Sequence, residues 1–239
     1  MGPLNFAAIC IIAGCSFISY LIQLSCPVKR LHHRVYLNSD CQKDLQMCLK
    51  FLEGWNGYSL FLDNHRSGPL KLELYTDAAA STGYGGYFQG AWFASRWPDE
   101  IQNMMKDGIC MAYLELYPIV VAAILWGHLW SRKRIVFYCD NAATVHILKK
   151  GRSKIASIMT LMRQLTWCAA YFSFTISASH IPGIDNNIAD ALSRFQMSRF
   201  RDLAPKAQSH PCQCPPFTKV IYNSTNRRVF AAFQCRFIH

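Results

Sequence analysis

The sequence predicts an α/β domain built on a mixed five-stranded sheet flanked by helices, preceded by a small, mainly helical extension. Three observations lead there. Three strand-like runs follow in quick succession, Leu70–Thr76, Tyr84–Phe88 and Trp92–Arg96, with Gln89-Gly90 as a tight turn between the last two. Two further strands, Arg134–Cys139 and Tyr171–Ser179, are each reached through a helical segment, and right-handed crossovers of that kind bury a sheet between helix layers. Finally, 51% of the 239 residues are hydrophobic, enough for a sizeable core and too many for global disorder.

Taken in order, Leu4–Leu24 carries no charge. About 20 apolar residues would span a bilayer, but Asn5, Gly14, Ser16, Ser19 and Gln23 dilute the run and no basic segment precedes it. A buried helix or helix pair is the favoured expectation, and a membrane anchor the alternative. In the next stretch, Leu45, Cys48, Leu49 and Leu52 recur at helical spacing, with Asp40 as the expected N-cap. Polar Asp63–Pro69, closed by Gly-Pro, reads as a linker. The expected organisation is therefore a helical segment over 1–66, the sheet domain over 70–195, and a remainder over 196–239.

Within the sheet domain, Gly85-Gly86 signals close approach of another backbone or a ligand. Ala112–Trp130 is apolar almost all round and reads as a buried helix. Pro118 then requires that helix to begin just before it, which places Glu115 near the first turn. Arg134–Cys139 is a continuous apolar strand suited to parallel neighbours. Helices follow over Ala142–Lys149 and Lys154–Ala170, and Tyr171–Ser179 alternates as a half-buried strand. His180-Ile181-Pro182-Gly183 turns the chain into a short helix, Asn187–Arg194. Beyond Phe195 periodicity is lost, and disorder is expected.

The formal charge of +11 points to a polyanionic partner, nucleic acid before an anionic membrane. Residues 196–239 hold seven Lys or Arg against one acid, so the tail supplies more than half of that excess. The eleven cysteines are irregularly spaced, without a Cys-x-x-Cys, and Cys212-Gln213-Cys214 has no zinc spacing. They read as reduced thiols, which places the chain inside the cell, in cytoplasm or nucleus. Asn223-Ser224-Thr225 would be glycosylated only in a secreted chain.

Four acids stand out. Asp77 and Asp140 each close a strand, and would lie side by side if those strands are parallel neighbours, where open α/β sheets place their sites. Glu115 on its apolar helix and Asp190 among Ile188, Ala189, Ala191 and Leu192 need a counter-charge. Singly, Asp77 is a turn former, Asp140 an N-cap and Asp190 a helix-start charge. Jointly, an all-oxygen donor set favours Mg²⁺, with Mn²⁺ able to substitute. Two such ions about 4 Å apart suit an in-line phosphodiester displacement.

Tyr75-Thr76-Asp77-Ala78, Leu114-Glu115-Leu116, Tyr138-Cys139-Asp140-Asn141-Ala142 and the run from His180-Ile181-Pro182-Gly183 through Ala189-Asp190-Ala191-Leu192-Ser193-Arg194 together resemble a known family. It is the ribonuclease H domain of retrotransposon reverse transcriptases, of the tyrosine-recombinase DIRS and Ngaro type. Leu31-His32-His33, Asp44-Leu45 and Phe51-Leu52-x-x-Trp55-Asn56-Gly57 resemble the segment connecting polymerase to ribonuclease H. The resemblance implies a ribonuclease H-like fold and a metal site at Asp77, Glu115, Asp140 and Asp190. It implies hydrolysis of the RNA strand of an RNA/DNA hybrid, with His180 assisting product or metal release. Asn141 and Asn187 would meet the nucleic-acid backbone or the 2′-hydroxyl, Lys149, Lys150 and Arg152 would hold phosphates, and the basic tail could take other nucleic acid. There is no Tyr-x-Asp-Asp motif and no polymerase palm, so no polymerase activity is expected. The competing functions are an inactive nucleic-acid-binding remnant of the same fold, a membrane-anchored protein, and a relative acting on DNA.

Overall fold

The computed structural model describes residues 18–27, 34–53 and 72–221. Residues 4–17 of the uncharged segment, His32-His33, Trp55-Asn56-Gly57, the linker 63–69 and the sequon at 223–225 lie outside them. The chain divides into two compact units, Met1–Leu60 with Tyr222–His239 and Phe61–Ile221.

In the first unit, α1 is Ser19–Ser25 and α2 is Ser39–Glu53. Asn38, not Asp40, caps α2: its Oδ1 accepts from the Cys41 N–H at 2.9 Å, while Asp40 pairs with Lys43 in solvent. The buried stripe is Cys41, Asp44 and Met47, and Leu49 is exposed, so the stripe is rotated from the expected one. Buried Asp44 accepts from the Tyr20 N–H at 2.8 Å, giving its carboxylate a partner.

The second unit is organised by its sheet. β1 (Leu72–Ala79), β2 (Gly83–Phe88) and β3 (Ala91–Arg96) form an antiparallel meander. The β2–β3 turn works because Gln89 and Gly90 both take positive φ, as a two-residue hairpin loop requires. β4 (Arg134–Cys139) and β5 (Thr175–His180) add in parallel to β1, giving the order β3-β2-β1-β4-β5. This is a ribonuclease H-like fold: a mixed five-stranded sheet flanked by helices, with a small helical N-terminal part.

Between β3 and β4 lie α3 (Asp99–Lys106) and α4 (Met111–Trp126), the latter extended by a 3₁₀ turn to Trp130. Met111–Trp130 is long and apolar enough to cross a membrane, yet most of it is buried inside the unit. α4 faces the sheet through Tyr84–Tyr117 and Phe88–Trp126 ring contacts, with centroids 5.1 and 5.7 Å apart. Pro118 lies inside α4 rather than at its start. An interior proline costs roughly 3 kcal/mol. Here every residue from Ala112 to Ala123 is buried, and that apolar burial outweighs the lost hydrogen bond.

α5 (Ala142–Lys150) and α6 (Ala156–Tyr171) flank β4 and β5. α7 (Asn187–Ser193) packs against β1 and β2 on the sheet face opposite α4. Gly85 permits this approach, since a Cβ there would sit 2.5 Å from the Leu192 Cβ.

Disorder from residue 196 onward does not hold for 196–221. α8 (Met197–Leu203) buries Phe200 between Trp92 and Tyr87, ring centroids 4.9 and 6.4 Å away. The following strap hydrogen-bonds along β3: Gln208 N–H to Gly90 O, Cys212 N–H to Trp92 O, and the Trp92 indole to Gln208 O, at 2.7–2.8 Å. It continues to α9 (Phe217–Val220). A bare edge strand carrying a tryptophan needs such a cover, and an irregular strap leaves no periodicity to read. The eight cysteines among the described residues are free thiols.

Candidate active site

Parallel pairing of β1 with β4 runs through Tyr75 opposite Tyr138. Asp77 stands two residues further along β1 and Asp140 one residue past the end of β4, so both come to the same sheet end and line one cleft. β1 itself does not stop at Asp77, as the sequence suggested. It runs to Ala79 against β2, with Asp77 opposite Gly85. Glu115, the fifth residue of α4, reaches the same place from the side. Its carboxylate, the Cys139 thiol and the Asp140 carboxylate each put a ligand atom within 4.8 Å of the others. Asp77 and Asp190 line the same cleft, of about 430 Å³, together with Glu115 and Asp140. The expected four acids thus share one cleft, drawn from β1, α4, the end of β4 and α7.

They do not share one environment. Glu115 is 3% exposed, and among the described residues its one side-chain hydrogen bond is the weak one from Cys139 Sγ at 3.8 Å. Burial, then the charges of Asp77 and Asp140, push its carboxyl up to about 9. Asp77 is also raised. Burial dominates and the Asp140 and Asp190 charges add to it, against a 2.5 Å hydrogen bond from Ser193 Oγ and the Arg194 charge. Among the described residues neither acid, nor Asp140, has an ion pair. Asp190 is different. Burial would raise it, but Arg194 and Arg199, each 2.6 Å from one carboxylate oxygen, hold it below the usual range.

This donor set fits a hard divalent cation. Buried carboxylates without cationic partners must either keep protons or take a metal ion, and oxygen donors select Mg²⁺ or Mn²⁺. Cys139 does not turn the site toward zinc, because burial and the Glu115 charge drive its thiol well above the ordinary value and so keep it protonated. Asp190 shares its two oxygens with Arg194 and Arg199, whose charges compete with a cation there.

The other expected residues are placed as follows. His180 ends β5 and its Nε2 lies 3.0 Å from the Asp140 carbonyl, beside the acids. Asn141 caps α5, its Oδ1 accepting from Thr144 N–H at 3.0 Å. Asn187 lines the cleft, its amide donating to Ile184 O and its Oδ1 accepting from Arg199. Lys149 and Lys150 occupy the last turn of α5, with Arg152 just past Gly151; all three are exposed and away from the cleft lining. By helix rise they stand roughly 12 Å from the α5 start beside Asp140, where they also complement the helix dipole.

Sequence reasoning missed Ser193, which orients Asp77, and Asn186, which donates to Thr76 O at 2.9 Å and ties the α7 entry to β1. It missed Arg194 and Arg199 as cleft residues too. The i, i+4 spacing of Asp190 and Arg194 was a usable signal; nothing in the sequence pointed to Arg199. No protein-family model, no curated protein and no solved structure matches the chain.

Proposed function

We propose that this protein is a metal-dependent endonuclease that hydrolyses the RNA strand of RNA/DNA hybrids, descended from the reverse transcriptase of a DIRS- or Ngaro-type retrotransposon. One observation carries the proposal: Asp77, Glu115 and Asp140 come from three separate elements into one cleft with no cationic partner among the described residues. The ribonuclease H-like fold supports it. Asp77, Glu115, Asp140 and Asp190 would hold two Mg²⁺, with Mn²⁺ as substitute. When bound, the ions would activate a water and stabilise the leaving oxygen. Ser193 keeps Asp77 turned into the cleft, and His180, beside Asp140, assists product or metal release. Asn187 meets the ribose side of the hybrid, while Asn141 and the Lys149, Lys150 and Arg152 cluster meet the backbone further along. The same proposal places the protein inside the cell, in cytoplasm or nucleus, with other nucleic acid reached through the basic tail.

A second function, a nucleic-acid-binding module that does not cut, is favoured by the engagement of both Asp190 oxygens with arginines. The purified chain and a labelled hybrid separate the two. Mg²⁺-dependent cleavage that falls to background in Asp140→Asn, with all-DNA duplex untouched, supports the nuclease. Hybrid binding without cleavage at any Mg²⁺ or Mn²⁺ concentration leaves the module.

A further inference from the structure

Asp190 enters the cleft with both carboxylate oxygens occupied. Arg194 donates from Nε to Oδ1 and Arg199 from Nη1 to Oδ2, both at 2.6 Å. The two guanidinium groups come from different places, Arg194 at the end of α7 and Arg199 inside α8. Arg199 is oriented further, since Nη1 also donates to Gln196 Oε1 at 2.8 Å and Nη2 to Asn187 Oδ1 at 2.9 Å. Both arginines line the cleft, with side chains 51% and 40% exposed, and so remain open to an incoming ligand. The cleft is therefore bipolar. Three carboxylates, from β1, α4 and the end of β4, have no cationic partner among the described residues, and two guanidinium groups sharing one carboxylate stand at α7 and α8.

Given the cation site already argued, we propose that Arg194 and Arg199 are a phosphate-binding pair that exchanges partners: they hold Asp190 while the cleft lacks nucleic acid, and pass to a backbone phosphate when it enters, releasing Asp190 to the cation. Guanidinium groups on both oxygens take up lone pairs and put positive charge where a metal ion would sit, so arginines and cation compete for Asp190. Phosphate and Asp190 compete in turn for the arginines, whose planar donors suit carboxylate and phosphate oxygens alike. Two competitions through one residue make phosphate and cation bind cooperatively, and the coupling is reciprocal. The exchange gives Arg199, which the sequence leaves in an unpatterned stretch, a role in the cleft.

The test measures binding, not cleavage. A labelled hybrid whose RNA strand is 2′-O-methylated is titrated by fluorescence anisotropy with Mg²⁺ and with EDTA. In the wild-type protein Mg²⁺ tightens binding about tenfold. In the Arg194→Gln, Arg199→Gln double variant Mg²⁺ has no such effect, and the slope of log K against log salt is shallower by about 2, one for each lost phosphate contact. In EDTA Asp190→Asn binds the hybrid more tightly than the charge-matched Asp140→Asn because its arginines are already free; a merely structural ion pair gives the two variants equal binding. An unchanged salt slope, a retained Mg²⁺ effect in the double variant, or no gain of Asp190→Asn over Asp140→Asn overturns the exchange. Should the double variant fail to fold, Asp190→Asn decides alone. A protein that shows the exchange but leaves an unmodified hybrid intact refutes the nuclease and keeps the exchange; one that cleaves without the exchange does the reverse. Failure of the wild-type protein to bind the hybrid at all overturns both.

Discussion

Glu115→Gln should stabilise this protein at neutral pH while destroying its response to divalent cations. In the folded chain the Glu115 carboxyl holds its proton up to about pH 9, whereas its ordinary value is 4.5. Folding therefore takes up a proton across that window, and stability falls as pH rises through it. At pH 7 the gap above 4.5 is about 2.5 pH units, which at 1.36 kcal/mol per unit is roughly 3 kcal/mol against folding. A glutamine pays none of this, and its amide can donate to the neighbouring Asp140 or Asp77. The expected gain is thus about 3 kcal/mol at pH 7, or roughly 6–12 °C in Tm for a unit of this size, shrinking to under about 1 kcal/mol at pH 5. Wild type should recover stability when Mg²⁺ or Mn²⁺ is added at pH 7, and the variant should not, because a cation that binds only the folded state adds to its stability. Urea denaturation at pH 5, 7 and 8.5, in EDTA and in Mg²⁺, measures all of this. Equal stability of the two proteins at pH 7 in EDTA, or a wild-type curve flat between pH 5 and 8.5, would refute the placement of an unpartnered carboxyl in the α4 core.

Three further outcomes test how the site is supported. Gly85→Ala puts a Cβ 2.5 Å from the Leu192 Cβ, and such overpacking should cost about 1–3 kcal/mol; it should also weaken Mn²⁺ binding in calorimetry, since α7 carries Asp190. Phe200→Ala removes a fully buried ring between Trp92 and Tyr87 and should cost about 3–5 kcal/mol, with faster limited proteolysis within residues 204–221; an unaltered cleavage pattern there would mean the strap is held by its backbone alone. Asn141→Ala loses the cap on Thr144 N–H and should lower stability by about 1 kcal/mol. No shift in its urea midpoint would show that water replaces the cap.

Much of the fold is legible in local pattern. The apolar run Arg134–Cys139 does become a strand with parallel neighbours on both sides, whereas the strand expected over Tyr171–Ser179 starts only at Thr175, because Tyr171 closes α6 and Phe172 caps it. Gly85 marks a close approach, as a glycine inside a strand suggests. α3 and the elements after residue 196 escaped, and the start of α4 was misplaced. α3 is short, with a single buried residue, Ile101, and so carries almost no periodic signal. Pro118 misplaced the start of α4, because a propensity penalty of a few kcal/mol was weighed without the burial that opposes it. The strap over β3 was invisible because it is held through its own backbone groups, its carbonyls accepting from Arg201 and the Trp92 indole and its N–H groups donating along β3, and backbone groups do not depend on residue type.

The sequence by itself determined which side chains carry charge into apolar surroundings: Asp77, Glu115, Asp140 and Asp190 are conspicuous wherever the chain folds, because an acid in such company needs a partner. It did not determine the partners. That Arg199 joins Arg194 at Asp190, and that Glu115 meets the Cys139 thiol and no cation among the described residues, was decided by the tertiary structure, through the packing of α8 beside α7 and of α4 on the sheet. Polar partners are chosen over a few ångströms of space: Arg199, nine residues from Asp190, reaches it only once α8 packs beside α7, and Cys139, twenty-four from Glu115, only once α4 packs on the sheet.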